Sequence, residues 1–119
     1  MNVIGTHLLI TVQNLPNASV LNTVDGVKPL LQTIVDRCAL NVVSEAGYQF
    51  EPIGATYVYV LSESHMSIHT YPEKNAAYMD IFCCNPEFDC EAAIETIKDV
   101  FNTDSVDYEV VYRKYYSRL

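Results

Sequence analysis

The sequence predicts an α+β fold, a two-layer sandwich in which two helices cover one face of an antiparallel sheet. Two segments carry apolar residues at helical spacing, and six shorter segments are rich in strand-forming residues, several of them alternating apolar with polar positions. Their order along the chain is β-α-β-β-β-β-α-β. Two helices are too few to cover both faces of such a sheet, so the other face would accept a partner subunit.

The first predicted element is a strand at His7–Gln13, which ends at the turn residues that follow Gln13. Apolar positions from Leu30 to Cys38 then follow helical spacing, which predicts a first helix that ends near Leu40. Thr23 or Asp25 is available as its cap. Pro29 is tolerated only in the first turn of a helix, because proline has no backbone N–H to donate.

Four strands are predicted between the helices, at 41–50, at 55–61, around Met66–Ile68 and at 76–84. Gly47 lies inside the first of them and indicates a β-bulge. The turn at 72–75 closes a hairpin, which would bring Cys84 back toward Ser64.

The end of the chain holds the second helix and the last strand. Asp89 is the predicted cap of that helix. Its buried face would consist of residues at helical spacing, namely Cys90, Ala93, Ile94, Ile97 and Phe101. Ser105–Tyr115 closes the chain as a long strand.

Composition limits the possible functions. With 119 residues, the chain is predicted to form one domain, 1–119. The net charge of -8 argues against binding of nucleic acid or of anionic membranes, which both require basic patches. Neither a signal peptide nor an apolar run of membrane-spanning length is evident, and we expect a soluble cytoplasmic protein. The cysteines are expected to be free thiols: Cys38, Cys83, Cys84 and Cys90.

The segment from Leu61 to Glu73 concentrates groups that carry chemistry. Ser64 is a candidate nucleophile and His69 a candidate base, between the carboxylates of Glu63 and Glu73. A serine hydrolase with Ser64, His69 and either Glu73 or Asp80 as the acid is disfavoured, because no Gly-x-Ser-x-Gly elbow surrounds the serine.

A zinc site built from the two histidines of this segment, His65 and His69, with Cys83 and Cys84 is disfavoured as well. On a strand, the two histidines would stand about 13 Å apart, at ~3.3 Å per residue, which is too far for one tetrahedral ion. We therefore expect no metal.

The run from Ser62 to Glu73 resembles the processing-site motif of the prokaryotic-type S-adenosylmethionine decarboxylases. The likeness extends along the chain through Gly5-x-His7-Leu8, Phe50-x-Pro52-x-Gly54 and Asp80-Ile81-Phe82-Cys83-Cys84. The resemblance implies an enzyme that is made as a proenzyme and cleaves itself, and it agrees with the predicted fold.

By this resemblance, the chain is cut between Glu63 and Ser64 into products 1–63 and 64–119. The Ser64 hydroxyl would attack the carbonyl of Glu63, and His69 would remove the α-proton that leads to a pyruvoyl group. Thr56 occupies a position where the family usually carries a serine hydroxyl that assists the acyl shift. Slower processing is the expected cost of this departure.

The resemblance also implies how the mature enzyme works. The pyruvoyl group would form a Schiff base with S-adenosylmethionine, and decarboxylation would give the aminopropyl donor for spermidine biosynthesis. Cys84 corresponds to the general acid, while Cys83 is expected only to pack. Phe50 would stack on adenine and Glu73 would bind the ribose. The family's sites are shared between two chains, which implies a homodimer.

Two alternatives remain open from the sequence. The same pyruvoyl chemistry could act on arginine or ornithine, as in some relatives of this fold. Alternatively, the chain could be a homologue that does not process itself and only activates a partner subunit, although Ser64, His69 and Cys84 are all present.

Overall fold

The computed structural model describes residues 2–116, with the backbone alone for Asn2, and confirms the predicted fold class and element order. The strands are β1 (Asn2–Gln13), β2 (Val42–Gln49), β3 (Ala55–Leu61), β4 (Ser64–Tyr71), β5 (Ala76–Cys83) and β6 (Val106–Tyr115). The helices are α1 (Val24–Arg37) and α2 (Cys90–Phe101), with 3₁₀ turns at Ala18–Leu21 and Pro72–Lys74.

All six strands belong to one sheet in the order β2-β3-β4-β5-β1-β6, and every neighbouring pair is antiparallel. The strands from β2 to β5 follow one another as hairpins. The first strand is the exception, because β1 lies between β5 and β6. The N-terminal strand is therefore held on both sides by strands from the second half of the chain.

One face of the sheet carries the core. Alternate residues of the central strands point toward the helices and are buried, as in Leu8, Met66 and Ile81. They pack with buried side chains of α1 and α2, among them Leu31, Ile34, Ile94 and Ile97. Such burial of large apolar side chains is the main source of stability, at about 1.5–3 kcal/mol for each.

The opposite face of the sheet, which we call the open face, carries no helix of the described chain. Apolar side chains project from it and remain partly exposed, including Leu9 at 41%, Val60 at 44% and Tyr78 at 50%. Apolar side chains grouped on a sheet face are typical of an interaction surface. The expectation that one face is left uncovered is confirmed.

The first helix begins earlier than its apolar spacing alone indicates. Thr23 is its N-cap, and its hydroxyl accepts a hydrogen bond from the Gly26 N–H at 2.9 Å. Pro29 consequently lies in the second turn, so its predicted place in the first turn is wrong. The missing N–H costs one helical bond, and burial of Val27 and Leu31 in the core offsets that loss.

The predicted β-bulge at Gly47 is also wrong. Gly47 pairs in regular register with Tyr57, whereas the irregularity of β2 lies between Val42 and Ser44. A Cβ atom at Gly47 would lie 2.2 Å from the Tyr57 ring. The glycine therefore makes room for an aromatic ring on the neighbouring strand, which is a packing role.

The second helix agrees with the sequence, since its N-cap Asp89 accepts a hydrogen bond from the Ala92 N–H at 3.0 Å. Among residues 2–116, no helix is long and apolar enough to span a membrane.

Candidate active site

The β3–β4 hairpin presents the Glu63–Ser64 bond at one end of the sheet. Leu61 and Ser64 pair across the hairpin, which leaves only Ser62 and Glu63 in the turn. Ser64 has a φ of 142°, a region that residues with side chains rarely adopt. A backbone of this kind stores about 1–3 kcal/mol of strain, and here it lies directly at the predicted cleavage bond.

The end of β5 brings Cys84 to this bond. The Ser64 hydroxyl and the Cys84 sulfur are 3.2 Å apart, and the Cys84 N–H donates to the Glu63 carbonyl at 3.0 Å. This hydrogen bond continues the ladder beyond the pair of Ser64 with Cys83. The predicted approach of Cys84 to Ser64 is confirmed, and we call Glu63, Ser64 and Cys84 the cleavage end.

The two neighbouring cysteines have different surroundings. Cys84 is exposed, whereas Cys83 is only 3% exposed and points into the protein. Burial raises the pKa of the Cys83 thiol, which makes it a poorer acid. Cys84 is therefore the only one of the two that can meet a reactant at residue 64.

His69 lies at the other end of β4, on the open face. Its Nδ1 is 2.6 Å from the Thr56 hydroxyl on β3, with which it is paired in register. A hydroxyl both donates and accepts, so this contact supports either tautomer. The tautomer in which Nδ1–H donates to Thr56 leaves the Nε2 lone pair free to take a proton.

An aromatic side chain lies near this histidine, and a carboxylate follows it in the turn after β4. The Phe50 ring is 5.8 Å from the His69 ring, centre to centre. Gly54, with a φ of 115°, lies close to both Phe50 and Pro72, since a Cβ atom at Gly54 would be 3.7 Å from Phe50 and 4.0 Å from Pro72. Glu73 follows Pro72 in an exposed 3₁₀ turn. We call Phe50, Thr56, His69 and Glu73 the aromatic end.

The two ends do not meet within one chain. Ser64 and His69 are five residues apart on β4, or roughly 16 Å at ~3.3 Å per residue. The cavity nearest the cleavage end, about 300 Å³, is lined by Ser62, Glu63 and residues of both helices, and contains no residue of the aromatic end. One chain therefore carries all the predicted site residues but in two separate groups.

A third polar group occupies the open face between β1, β4 and β5. His7 Nε2 and His65 Nε2 each lie 2.7 Å from the same oxygen of Asp80, and Ser67 donates to the other oxygen. Burial raises the pKa of Asp80, but the hydrogen bonds from Ser67, His65 and His7 outweigh it and hold this pKa below its ordinary value. The carboxylate is thus ionised at neutral pH.

The nitrogen and oxygen atoms of His7, His65 and Asp80 lie within 4.8 Å of one another, a spacing that metal ligands also have. The Arg113 guanidinium lies 3.2 Å from His7 Nδ1 and determines which ring nitrogen of His7 carries the hydrogen. Arginine only donates, so Nδ1 accepts and Nε2 carries the hydrogen that points at Asp80. Hydrogen bonding to the carboxylate accounts for this arrangement.

Sequence reasoning missed this group. His7 and Asp80 are 73 positions apart and meet only because β1 pairs with β5. The alternation of β5 indicated that Asp80 shares a face with Phe82, but the strand order that brings His7 beside them is a tertiary property.

Comparisons with known proteins agree with this architecture. The family model for S-adenosylmethionine decarboxylase matches residues 6–114. The chain is 35% identical to the S-adenosylmethionine decarboxylase proenzyme of Methanococcus aeolicus over 107 residues, which are 90% of this chain and 91% of that protein. It is 39% identical to the corresponding proenzyme of Symbiobacterium thermophilum over 93 residues, which are 78% of this chain and 70% of that one.

The crystal structure of the adenosylmethionine decarboxylase from Aquifex aeolicus superimposes with a TM-score of 0.86. That comparison covers 100% of this chain and 98% of the other at 30% identity. The architecture is thus that of a known class of decarboxylases. The chain belongs to the S-adenosylmethionine decarboxylase family, and the resemblance seen in its sequence is confirmed.

Proposed function

We propose that this chain is a proenzyme that cleaves itself between Glu63 and Ser64 and then decarboxylates S-adenosylmethionine through a pyruvoyl group made from Ser64. The product would be the aminopropyl donor for spermidine biosynthesis. The observation that carries the proposal is the cleavage end, where the Ser64 hydroxyl, a strained backbone and the Cys84 thiol coincide.

The cleavage step would use groups already in place. Attack of the Ser64 hydroxyl on the Glu63 carbonyl carbon places negative charge on the carbonyl oxygen. The Cys84 N–H already donates to this oxygen at 3.0 Å and would stabilise that charge. Release of the strain at Ser64 would favour the same reaction. The Glu63–Ser64 amide bond would break as an ester to the Ser64 hydroxyl oxygen forms. His69 is the proposed base that removes the Ser64 α-proton, with Thr56 as its hydroxyl partner, so that the ester leaves as the Glu63 carboxylate. Water would then replace the nitrogen of residue 64, which leaves as ammonia.

The residues around position 64 fit a pyruvoyl group. Such a group supplies a carbonyl that captures the substrate amine and accepts the electrons released with carbon dioxide. Cys84 is exposed and 3.2 Å from the Ser64 hydroxyl, so it is placed to return a proton to the substrate. Cys83 faces inward and serves in packing.

A homodimer is part of the proposal. The aromatic end lies roughly 16 Å from the cleavage end along β4, so His69 and Thr56 cannot reach Ser64 of their own chain. A two-fold dimer through the open face would bring the aromatic end of each chain to the cleavage end of its partner. The exposed apolar residues of that face support this arrangement.

Substrate recognition is proposed for the aromatic end. Phe50, which is 38% exposed, offers a ring for the adenine, and the Glu73 carboxylate offers two acceptors for the ribose hydroxyls. Arginine and ornithine, the alternative substrates, have neither an adenine nor a ribose. Carbon dioxide release from the three compounds, measured side by side, tests this choice, and reaction with the amino acids alone would overturn it.

The proposed product chains are 1–63 and 64–119, whose outer ends, Met1 and Leu119, lie outside the described residues. The four cysteines are all free, which fits the reducing cytoplasm that we propose for the enzyme.

The intact mass of the purified protein is the direct test. We expect two fragments, the second blocked at its N-terminus by pyruvate. Ser64→Ala should abolish cleavage and activity together, because it removes the nucleophile. Ser62→Ala, the matched control in the exposed turn just before Ser64, should be cleaved normally. A wild-type chain that stays whole would refute the enzyme and favour the role of a partner that activates another subunit.

A further inference from the structure

We propose that His7, His65 and Asp80 form a clamp that fixes the new end of the 64–119 product once the chain has been cut. His65 and Asp80 act as positioning residues for residue 64, and neither touches the reacting atoms. This inference rests on the proposed cleavage between Glu63 and Ser64.

The cut removes the covalent support of residue 64. In the uncut chain, Ser64 is held from one side by Glu63 and by pairing with Leu61 across the hairpin. After cleavage, the only covalent bond to the rest of the chain at residue 64 is the one to His65, and its backbone still lies beside Cys83 on β5. A strand terminus of this kind frays unless side chains hold it.

The clamp begins at the very next residue. His65 Nε2 reaches the Asp80 carboxylate on β5 at 2.7 Å, and that carboxylate also receives hydrogen bonds from His7 on β1 and from Ser67 on β4. Charge-assisted hydrogen bonds of this kind are stronger than neutral ones, and Asp80 is partly buried, with 22% of its side chain exposed. His65 is therefore held across two neighbouring strands.

The clamp also joins the two products. His7 belongs to 1–63, whereas His65, Asp80 and Arg113 belong to 64–119. Arg113 donates to His7 Nδ1 and so makes His7 Nε2 the donor toward Asp80. The Phe82 ring lies near both imidazoles. Its centre is 5.2 Å from the centre of the His7 ring and 6.2 Å from that of the His65 ring. Through Asp80, His65, the residue next to the reactive group, is thus linked to His7 on β1, a strand of the other product.

The test compares His65→Leu with His65→Gln. The Gln side chain carries an N–H donor at about the position of His65 Nε2 and can reach Asp80, whereas Leu of similar size cannot. Each variant is prepared in the self-cleaving chain and in an uncut Ser64→Ala background. Amide hydrogen exchange of the first residues of β4 is then measured by mass spectrometry.

We expect His65→Leu to speed exchange at the start of β4 by about tenfold in the cut protein, and by less than about twofold in the uncut one. His65→Gln should resemble wild type in both. In the cut protein, kcat should fall for His65→Leu while KM changes little, since the aromatic end is unaltered. If His65→Leu fails to fold or to be cut, His7→Leu and His7→Gln test the same tie from the other product.

Equal acceleration of exchange in the cut and uncut proteins would overturn the clamp, as would a His65→Gln variant as impaired as His65→Leu. A wild-type chain that is never cut would overturn the proposed function and the clamp with it. A cut and active wild type with an unaffected His65→Leu variant would overturn the clamp alone.

Discussion

The two ends of β4 differ in what they hold and in how they hold it. At the cleavage end, a strained serine meets a thiol and a backbone N–H from the next strand, all within one hairpin pair. At the aromatic end, His69 meets the neutral Thr56 hydroxyl and the edge of an aromatic ring. In the proposed function, bonds would form and break at the first end, whereas the second end would bind the substrate and move a proton.

The distance between these ends explains why a small chain would need a second copy. A strand of eight residues is stiff and cannot fold back to bring its two ends together. Two copies related by a two-fold axis would solve this problem, because the aromatic end of each chain could meet the cleavage end of the other. The open face is the surface through which they would meet.

The strongest test of this division mixes two inactive chains. Ser64→Ala and His69→Ala are each expected to be uncut when expressed alone. In a mixed dimer, the intact Ser64 of one chain would face the intact His69 of the other, so the His69→Ala chain should be cleaved. With random assortment, about a quarter of the chains should be cut, as measured by intact mass. No cleavage in the mixture would mean that both ends act within one chain.

Within the cleavage end, we expect different groups to serve processing and turnover. Cys84→Ala keeps the backbone N–H at the Glu63 carbonyl but removes the thiol, so cleavage should persist while kcat falls by about 10²–10³-fold. The matched Cys83→Ala variant should leave kcat nearly unchanged, because that thiol points into the core. Cleavage is followed by intact mass and turnover by carbon dioxide release. Loss of cleavage in Cys84→Ala would contradict the separation of roles.

The smallest expected effect concerns binding at the aromatic end. Glu73→Gln keeps the shape but removes the charge that strengthens hydrogen bonds to the ribose, so KM for S-adenosylmethionine should rise about tenfold. Cleavage should be normal, since Glu73 lies in the turn after β4. Glu95→Gln, which changes an exposed carboxylate on α2, serves as the control. An unchanged KM would remove Glu73 from the binding site.

Local signals in the sequence predicted much of the fold. The bounds of β3 and the cap at Asp89 are as expected, because β-branched and aromatic runs and capping residues act over a few positions. Pro29 and Gly47 were misinterpreted for a related reason. Neither residue's role is set by its immediate neighbours in sequence. The cap at Thr23 places Pro29 in the second turn of α1, and the ring of Tyr57 requires a glycine at position 47.

The candidate site was predictable only in part. The motif around Ser64 and the return of Cys84 follow from the chain order of two hairpins. The clamp depends on β1 lying beside β5. The division of the site depends on the distance between Ser64 and His69 along β4. Both are properties of the assembled sheet, and neither leaves a pattern in neighbouring residues.

The position of β1 between β5 and β6 has a consequence for refolding. After the proposed cut, β1, β2 and β3 belong to one product and β4, β5 and β6 to the other, so three strand boundaries join the products. The native pair should remain associated, because separating it would break the sheet at all three. Once denatured, however, the mature enzyme would have to reassemble from two chains, and its refolding rate would depend on concentration. If the chain is cut as proposed, the single-chain proenzyme would be the form that folds, and the cut enzyme would retain a structure that it rebuilds only slowly.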